Sequence, residues 1–419
     1  MILNTEIESF AGYETDSFIT KKQLAKILDN APDYKQELLE IFQVHESNIE
    51  ILKIGNSKQL LNSINTLDSQ CEKIDIVSKV KDVHLLKLMD AEKALFELFS
   101  VEDKFVLKTN KSDLLLAETR YNAKTDVLDI YNFSKFANYC RDKQYEDLVE
   151  EIGDYLKEKN KNNEEEKKFR LLYKKEDKKF YLRALTSSQD YKNFGINFSV
   201  FVALISLGKY VENNGDEIYI DTYVVDDSNV YVSFTFNRDK VIDKSLSLSF
   251  SLILENDEVK RNAVSFNGLF KLNYNEKNKT SGIYLKPYGI KKENNAFPVD
   301  LLNYQHRGTV DAVFEKIKEL PTLIDFFIKQ VSEDAKKISS LANPEDVKAF
   351  IRDKVKRSKK PEFQIYKDRI VKKLMSITVD STFKLFELLR EVEDLFEHDD
   401  IISLNFWRNK LYESLIERK

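Results

Sequence analysis

The sequence predicts an α+β fold with a helical N-terminal part, a central, mainly antiparallel β-sheet and a helical C-terminal part. Eight of the ten glycines lie between residues 153 and 308, and no proline lies between Asp33 and Lys286. Glycine serves turns and proline removes a backbone donor, so this distribution separates a strand-and-turn centre from two helical flanks. Apolar residues repeat at helical spacing in the flanks and at period two in the centre.

The length predicts several packed units. At 419 residues the chain exceeds the roughly 250–300 residues at which a single core stops growing. We therefore expect a mainly helical N-terminal region at residues 1–160 and an α+β sheet domain at 165–308. A helical region at 309–419 is expected to pack on that sheet.

Composition places the chain among soluble globular proteins, with 42% hydrophobic and 33% charged residues. The net charge of -5 argues against a cationic surface all over, but it leaves room for a local basic face. Two cysteines, Cys71 and Cys140, are too few for a disulfide framework and indicate reduced thiols in the cytoplasm. The longest apolar stretch, Ile196–Leu207, is about half the length that spans a bilayer, and no signal peptide is visible, so we expect no membrane association.

The N-terminal helices are predicted from caps and apolar spacing. Ser17 and Thr20 offer N-cap oxygens before an apolar repeat at helical spacing. One helix face is predicted for Leu85, Leu88, Met89, Leu95, Phe96 and Phe99. Residues 113–133 contain a turn-like stretch at 122–126 and are compatible with a helix or a hairpin. The charged run at 157–168 is expected to be a solvated linker or helix end.

Apolar residues repeat at period two in most of the centre and at helical spacing in the C-terminal quarter, which predicts strands and helices, respectively. A hairpin is expected at 168–183 and a buried helix at 198–211. The further strands are expected at 218–225, 230–236, 246–254, 263–272 and 281–288. Helical spacing returns from Val310, and Asn343-Pro344-Glu345 combines an N-cap, a proline at the first helical position and an acid at the positive end of the helix dipole.

The polar face of the predicted hairpin is the first candidate site. Period two places six residues on one surface, namely Lys168, Arg170, Lys174, Lys179, Tyr181 and Arg183. Positive charge combined with an aromatic ring is how proteins hold single-stranded nucleic acid, through phosphate attraction and base stacking. The alternative is an ordinary solvated face whose lysines discourage edge pairing.

A second basic cluster precedes Pro361. Its members are Arg352, Lys354, Lys356, Arg357, Lys359 and Lys360, of which Arg352, Lys356 and Arg357 are taken as candidate nucleic-acid ligands. Cations are also favoured at a helix C-terminus by the helix dipole, which explains the cluster without a ligand.

Motifs for catalysis, metals or cofactors are weak or missing. Glu258-Val259-Lys260 together with Asp243 has the acid-and-lysine composition of metal-dependent nucleases, but such triplets arise by chance in a chain this charged. The four histidines have no ligand-like spacing, and no glycine-rich phosphate loop is present. We therefore expect no cofactor, no metal and no catalytic residues. Enzymatic activity stays open, with a non-catalytic protein favoured.

Four short stretches resemble motifs of the uncharacterised phage/plasmid-like protein family. They are Leu182–Ser187 followed by Tyr191, Glu255–Val259, Asn267–Leu269 and His306–Gly308. Lys260 stands where the family usually has glycine, and Phe266 stands near the family's cysteine. The similarity covers roughly residues 165–419. It implies a phage or mobile-element protein, a role for His306 that needs a test, and little chemistry.

These observations predict a non-catalytic phage or mobile-element protein that associates with nucleic acid, through single-stranded DNA on the basic hairpin face. The alternative is a structural or interaction protein, such as a virion component or a modulator of a host system, with protein partners or self-assembly.

Overall fold

A computed structural model describes residues 5–45, 49–89, 93–159, 161–259, 264–276, 279–287, 301–304, 306, 309–339, 343–359, 363–397 and 401–416. It confirms a mixed helix and sheet protein with a large antiparallel sheet and helices at both ends of the chain. No helix in these ranges is both long enough and apolar enough to cross a membrane.

The first seventy residues add two strands to the large sheet and contribute helices to its core. Their elements are β1 (Glu6–Ser9), β2 (Ile19–Thr20), α1 (Lys21–Lys26), α2 (Lys35–Phe42), β3 (Ile51–Leu52), β4 (Ile54–Gly55) and α3 (Ser57–Gln70). Thr20 caps α1 in a capping box with Gln23, so the N-cap predicted there is confirmed.

Residues 71–187 form a unit with its own sheet, which we call the inserted unit. Its elements are β5 (Cys71–Lys79), β6 (Val83–Leu88), β7 (Ala94–Leu98), α4 (Lys104–Asn110), β8 (Leu115–Thr119), α5 (Ala123–Leu128), α6 (Ser134–Asp142), α7 (Glu146–Lys159), β9 (Glu166–Lys174) and β10 (Lys179–Ser187). The six strands run in the order β5-β9-β10-β8-β7-β6, antiparallel except for the β8–β10 pair. One face of this sheet packs on α5, α6 and α7 and forms a separate core.

The inserted unit departs from the sequence predictions in three places. The helix predicted at 85–99 is wrong, because β6 and β7 occupy this stretch. Residues 113–133 hold the strand β8, the helix α5 and a short 3-10 helix at Asp129–Tyr131, so this stretch is neither one helix nor a hairpin. The predicted boundary at 160–165 falls inside the unit, since β9 returns to pair with β5 along its whole length.

All described residues outside the inserted unit, both before residue 71 and after residue 187, form what we call the body. After the inserted unit, the chain continues with α8 (Ile196–Asn214), β11 (Ile218–Val225), β12 (Asn229–Phe236), β13 (Lys240–Val241), β14 (Leu246–Asp257), β15 (Val264–Glu276), β16 (Lys279–Leu285) and β17 (Leu302–Tyr304). The large sheet has the order β1-β11-β12-β14-β15-β16, and the short strands β4, β13 and β17 pair with β11, β14 and β15, respectively. Helix α8 is the buried helix predicted from sequence, and Gly215 ends it at a φ of 71°.

Five helices complete the body. They are α9 (Val310–Ser339), α10 (Pro344–Arg357), α11 (Gln364–Met375), α12 (Thr382–Glu393) and α13 (Ile401–Ile416). Their apolar faces join the core of the large sheet. Asn343 caps α10 through its side chain, with Pro344 at the first helical position, so the predicted start is confirmed. Pro321 lies inside α9 without ending it.

Candidate functional site

Two buried arginines and one buried glutamate lie where the inserted unit meets the body. Arg170 belongs to β9, Arg183 lies at a register shift in β10, and Glu258 follows β14. The arginines are each 1% exposed and Glu258 is 2% exposed. Charged side chains are almost never buried to this degree unless they are paired. We call this contact region the seam.

The Glu258 carboxylate is held by donors from both sides of the seam. Its Oε1 accepts from Lys73 Nζ and from the backbone N–H of Ile196, both at 2.9 Å, and its Oε2 accepts from Arg183 Nη1 at 3.0 Å. Ile196 is the first residue of α8, so the carboxylate also lies at the positive end of a helix dipole. Burial alone would raise the pKa of Glu258, but Lys73, Arg183 and Arg170 hold it far below its usual range.

Gly195 makes this close approach possible. A Cβ atom at this position would lie 2.7 Å from Glu258 Oε1, which is inside contact distance. The φ of Gly195 is −72°, so the requirement for glycine is steric and does not come from backbone conformation.

Arg170 ties the seam together through all of its guanidinium nitrogens. Its Nε donates to Asp75 Oδ1 at 3.0 Å and its Nη2 donates to Asn193 Oδ1 at 2.8 Å. Its Nη1 donates to the Tyr191 hydroxyl and to the Glu258 carbonyl oxygen. Burial works against the charged form, but Asp75 and the other acidic neighbours raise the pKa of Arg170, so the cation persists at any pH at which the protein folds.

His306 of the body packs against the residues of the seam. Its ring stacks on Tyr191 at 5.1 Å between centroids, and its nitrogens lie 3.1 Å from the carbonyl oxygens of Lys192 and Asp257. Burial and the nearby Arg170 cation lower the pKa of His306. The two backbone carbonyls favour the protonated ring, but burial and the Arg170 cation outweigh them.

A cavity of about 310 Å³ opens beside this network. Its walls carry eight carboxylates and one amine, namely Asp29, Asp33, Asp68, Glu72, Asp75, Asp226, Asp227, Glu258 and Lys73. Within the described residues, no group of three His, Cys, Asp or Glu side chains is arranged to hold a metal ion. The cavity is therefore an acidic cleft whose carboxylates do not converge on one point.

The predicted basic hairpin face exists as a sheet face, but it is largely covered. The β9–β10 register places Lys168, Arg170, Lys174, Lys179 and Tyr181 on one side, as the period-two pattern predicts. The expectation that this side is exposed is wrong for Arg170, Arg183 and Tyr181, which are buried. Arg170 and Arg183 bond to Glu258 of the body, whereas the Arg120 guanidinium of the inserted unit lies 4.6 Å from the centre of the Tyr181 ring. Tyr181 donates its hydroxyl to Asp177 at 2.6 Å, and burial raises its pKa to about 12.

Three lysines of the hairpin remain in contact with solvent. Lys168 is half-buried, Lys174 pairs with Glu176 at 3.0 Å, and Lys179 is exposed. The hairpin thus offers isolated lysines instead of a continuous basic and aromatic surface.

The second predicted cluster lies on the surface. Lys356 and Arg357 are exposed in the last turn of α10, and Arg352 pairs with the neighbouring Asp353 at 3.1 Å. The helix C-terminus expected there is confirmed.

The nuclease-like pattern is not assembled. Asp243 precedes β14 and accepts hydrogen bonds from the N–H groups of Ser245 and Leu246, whereas Glu258 follows the other end of the same strand. Twelve strand residues separate the two carboxylates by roughly 40 Å at about 3.3 Å per residue. They cannot share a metal ion, and Lys260 lies outside the described residues.

Comparison of the chain with models of known protein families, with curated proteins and with solved structures finds no match. The site must therefore be interpreted from its own chemistry.

Proposed function

We propose that the protein is a non-catalytic nucleic-acid-binding protein of a phage or mobile element, and that its phosphate-binding surface is the hairpin formed by α10 and α11. One observation carries the proposal. Residues 352–373 contain ten Lys or Arg against three Asp or Glu, in a chain whose net charge is -5. The phage or mobile-element setting rests on the motif resemblance alone.

Antiparallel packing of the two helices brings the cations of the last turn of α10 close to Lys367 in the first half of α11. Lys348 Nζ of α10 donates to the Ile377 carbonyl oxygen beyond the end of α11, at 2.5 Å. At the opposite end, Lys367 Nζ of α11 donates to the Ser358 carbonyl oxygen just after α10, at 3.1 Å. The basic last turn of α10 therefore lies beside the start of α11.

Several of these cations lack a neutralising partner. Lys356, Arg357 and Lys372 are exposed, and none of them has an acidic partner within the described residues. Exposed lysines and arginines without acidic partners bind the phosphates of a nucleic acid and release the counterions condensed on it. This release is the main source of affinity for nucleic acid. Helix-dipole stabilisation explains the basic last turns of α10 and α11, but it does not explain Lys367 and Arg369, which lie in the first half of α11.

The basic hairpin at 168–183 contributes little to a phosphate-binding surface. Arg170 and Arg183 are engaged with Asp75 and Glu258, so neither guanidinium is available to a phosphate. The proposed surface therefore consists of Arg352, Lys356 and Arg357 together with the neighbouring cations of α11.

The test is the salt dependence of binding to a labelled poly-dT oligonucleotide longer than about 16 nucleotides. Fluorescence polarisation is measured between about 50 and 200 mM salt. The double variant Lys356→Glu/Arg357→Glu is expected to weaken binding and to reduce the log–log salt slope by about 1.4, which corresponds to two lost phosphate contacts.

The matched control reverses two exposed lysines of α4, in the variant Lys104→Glu/Lys108→Glu. Its net charge changes by the same amount, so any general electrostatic effect is common to both variants. If the two double variants bind with equal affinity and equal slope, the α10–α11 surface is not the nucleic-acid site.

A second function, as an interaction or structural protein, is favoured by an aromatic surface on the inserted unit. Phe136 and Tyr139 of α6 are 37% and 54% exposed, and Leu148 and Tyr155 of α7 are 41% and 60% exposed. Exposed apolar side chains that cluster on two neighbouring helices are typical of protein contacts. Light scattering of Phe136→Ser/Tyr139→Ser tests this function, since loss of an assembled state would support it.

A further inference from the structure

Strand β5 is an open edge of the six-stranded sheet. The N–H of Val80 donates to Glu165 and the N–H of Lys175 donates to Gln70, at 2.9 and 3.0 Å, and these bonds flank the β5–β9 ladder. Because hydrogen-bonded pairs recur at every second residue, the even-numbered residues of β5 bond to β9. The N–H and C=O groups of Lys73, Asp75 and Val77 therefore point away from β9, and no other described strand pairs with them.

This open edge runs into the acidic cleft. Cys71, Glu72, Lys73 and Asp75 of β5 form part of the wall of the 310 Å³ cavity. Val77, further along the same edge, is 52% exposed. Strand edges that are left unpaired template the addition of another strand.

Four carboxylates of the cleft have no cationic partner within the described residues. Asp68 accepts only from the side-chain amides of Asn30 and Asn197, at 2.7 and 2.8 Å. Asp227 accepts from the Tyr121 hydroxyl at 2.7 Å, and Asp226 accepts from the N–H groups of Ser228 and Asn229. The fourth carboxylate, that of Asp33, is exposed.

The cleft therefore carries negative charge that no ion pair among the described residues neutralises. Burial, together with the charge of Asp227, raises the pKa of Asp226. A cation that entered the cleft would relieve this cost, whereas a phosphate would increase it. The volume lies at the small end of the range of about 300–1,000 Å³ found for ligand pockets, which suits one long side chain.

We propose that the open edge of β5 and the acidic cleft together bind an extended basic segment of a partner protein. The segment pairs with Lys73, Asp75 and Val77 through its backbone, and it places a lysine or arginine side chain in the cleft. Main-chain hydrogen bonds supply affinity in such strand addition, and the pocket for one alternate side chain supplies specificity. This site is separate from the α10–α11 surface and does not depend on nucleic-acid binding.

The probe is a fluorescein-labelled peptide of alternating lysine and valine, and its charge control replaces each lysine with glutamate. Fluorescence anisotropy is expected to show binding of the lysine peptide and none of the glutamate peptide. Equal binding of the two peptides would overturn the assignment of the cleft.

The edge is tested with Val77→Pro, which removes an outward N–H and leaves the bonds to β9 in place. Its matched control, Val77→Thr, keeps that N–H. Binding is expected to fall at least about tenfold in the proline variant and to stay unchanged in the threonine variant. Unchanged binding by Val77→Pro would overturn strand addition.

The charge of the cleft is tested independently with Asp33→Asn, a substitution at an exposed site outside the buried network. It is expected to weaken the lysine peptide several-fold, and unchanged affinity would count against the cleft. The variant Lys356→Glu/Arg357→Glu should bind the peptide like the wild type. Failure of the proposed nucleic-acid function therefore leaves this result unaffected.

Discussion

Arg183 donates from Nη1 to Glu258 Oε2 at 3.0 Å, with the two side chains 1% and 2% exposed. The arginine comes from the inserted unit and the glutamate from the body, so this ion pair joins two separately packed cores. A buried pair need not add net stability compared with apolar residues, because both charges must be desolvated. Removal of one partner is costly, since the other is left buried and uncompensated.

Glu258→Gln is therefore expected to destabilise the protein strongly, by about 3–5 kcal/mol. The amide keeps the shape of the side chain but leaves Arg183 and Lys73 without their counter-charge. Urea unfolding followed by the fluorescence of Trp407, the chain's single tryptophan, measures the change. Glu255→Gln, at a half-buried site on β14, is the control, and a similar loss in both variants would contradict a special role for the seam.

Gly268 should not accept a side chain, because the Phe327 ring lies where a Cβ would be, at 1.9 Å. Gly268→Ala is expected to cost about 1–3 kcal/mol through overpacking. Phe327→Leu should offset part of this loss when the two are combined, and a double-mutant cycle measures the coupling. Strict additivity of the two changes in unfolding free energy would show that the ring does not restrict position 268.

Stability is expected to fall as the pH drops from 7 to 5, in part through His306. Its pKa is lowered in the folded state, chiefly by burial, so the unfolded chain binds the proton first and the folded state loses stability below the unfolded pKa. The pKa of His84 is also lowered by burial and acts in the same direction. Unfolding free energies of His306→Asn and His84→Asn across this range separate the two contributions, and an unchanged slope in His306→Asn would contradict the assignment.

Both thiols should be unreactive in the folded protein. Cys71 is 8% exposed and Cys140 is 0% exposed, and burial raises the pKa of the Cys71 thiol. The thiolate is the reactive form, so reaction with a chromogenic disulfide at pH 8 is expected to be slow until urea unfolds the chain. A rapid reaction of either thiol before unfolding would be evidence against this packing.

In the hairpin at 168–183, the period-two pattern predicts which residues share a face but not whether that face is exposed. Alternation placed Arg170 and Tyr181 on one face of a hairpin, and the β9–β10 register has that arrangement. Alternation does not tell what covers a face. The residues that bury this one, including Asn193 and Glu258, come from the next part of the chain and give no signal within the hairpin.

The helix prediction for residues 85–99 was wrong for a different reason. Leu85, Leu88, Leu95 and Phe96 satisfy a helical spacing, and neither glycine nor proline interrupts them. The structure uses the shorter repeat of Ala94, Phe96 and Leu98, which are buried at period two in β7. A short apolar run supports either period, and tertiary pairing with β6 and β8 decides between them.

The seam collects residues that the sequence marked for unrelated reasons. Arg170 and Arg183 belonged to a basic hairpin, Glu258 to a weak nuclease pattern and His306 to a motif resemblance. These residues meet through contacts between distant parts of the chain. Arg183 and Glu258 are 75 positions apart in the sequence, and Arg170 is 88 positions from Glu258, whose carbonyl oxygen it contacts. Local pattern cannot predict such pairs, although Gly195 before a buried helix is the kind of signal that marks a close approach.

The contact between Asp68 near the end of α3 and Asn197 near the start of α8, at 2.8 Å, bears on the modularity of the chain. The backbone leaves the body and re-enters it at nearly the same place, so a short bridge from Gln70 to Gly195 would preserve the covalent path of the body. Its electrostatics would not be preserved, because such a bridge replaces residues 71–194 and so removes Lys73, Arg170 and Arg183, the cations that lower the pKa of Glu258. The connectivity of the chain would thus allow the inserted unit to be removed, but Glu258 of the body would lose the cations that the unit supplies.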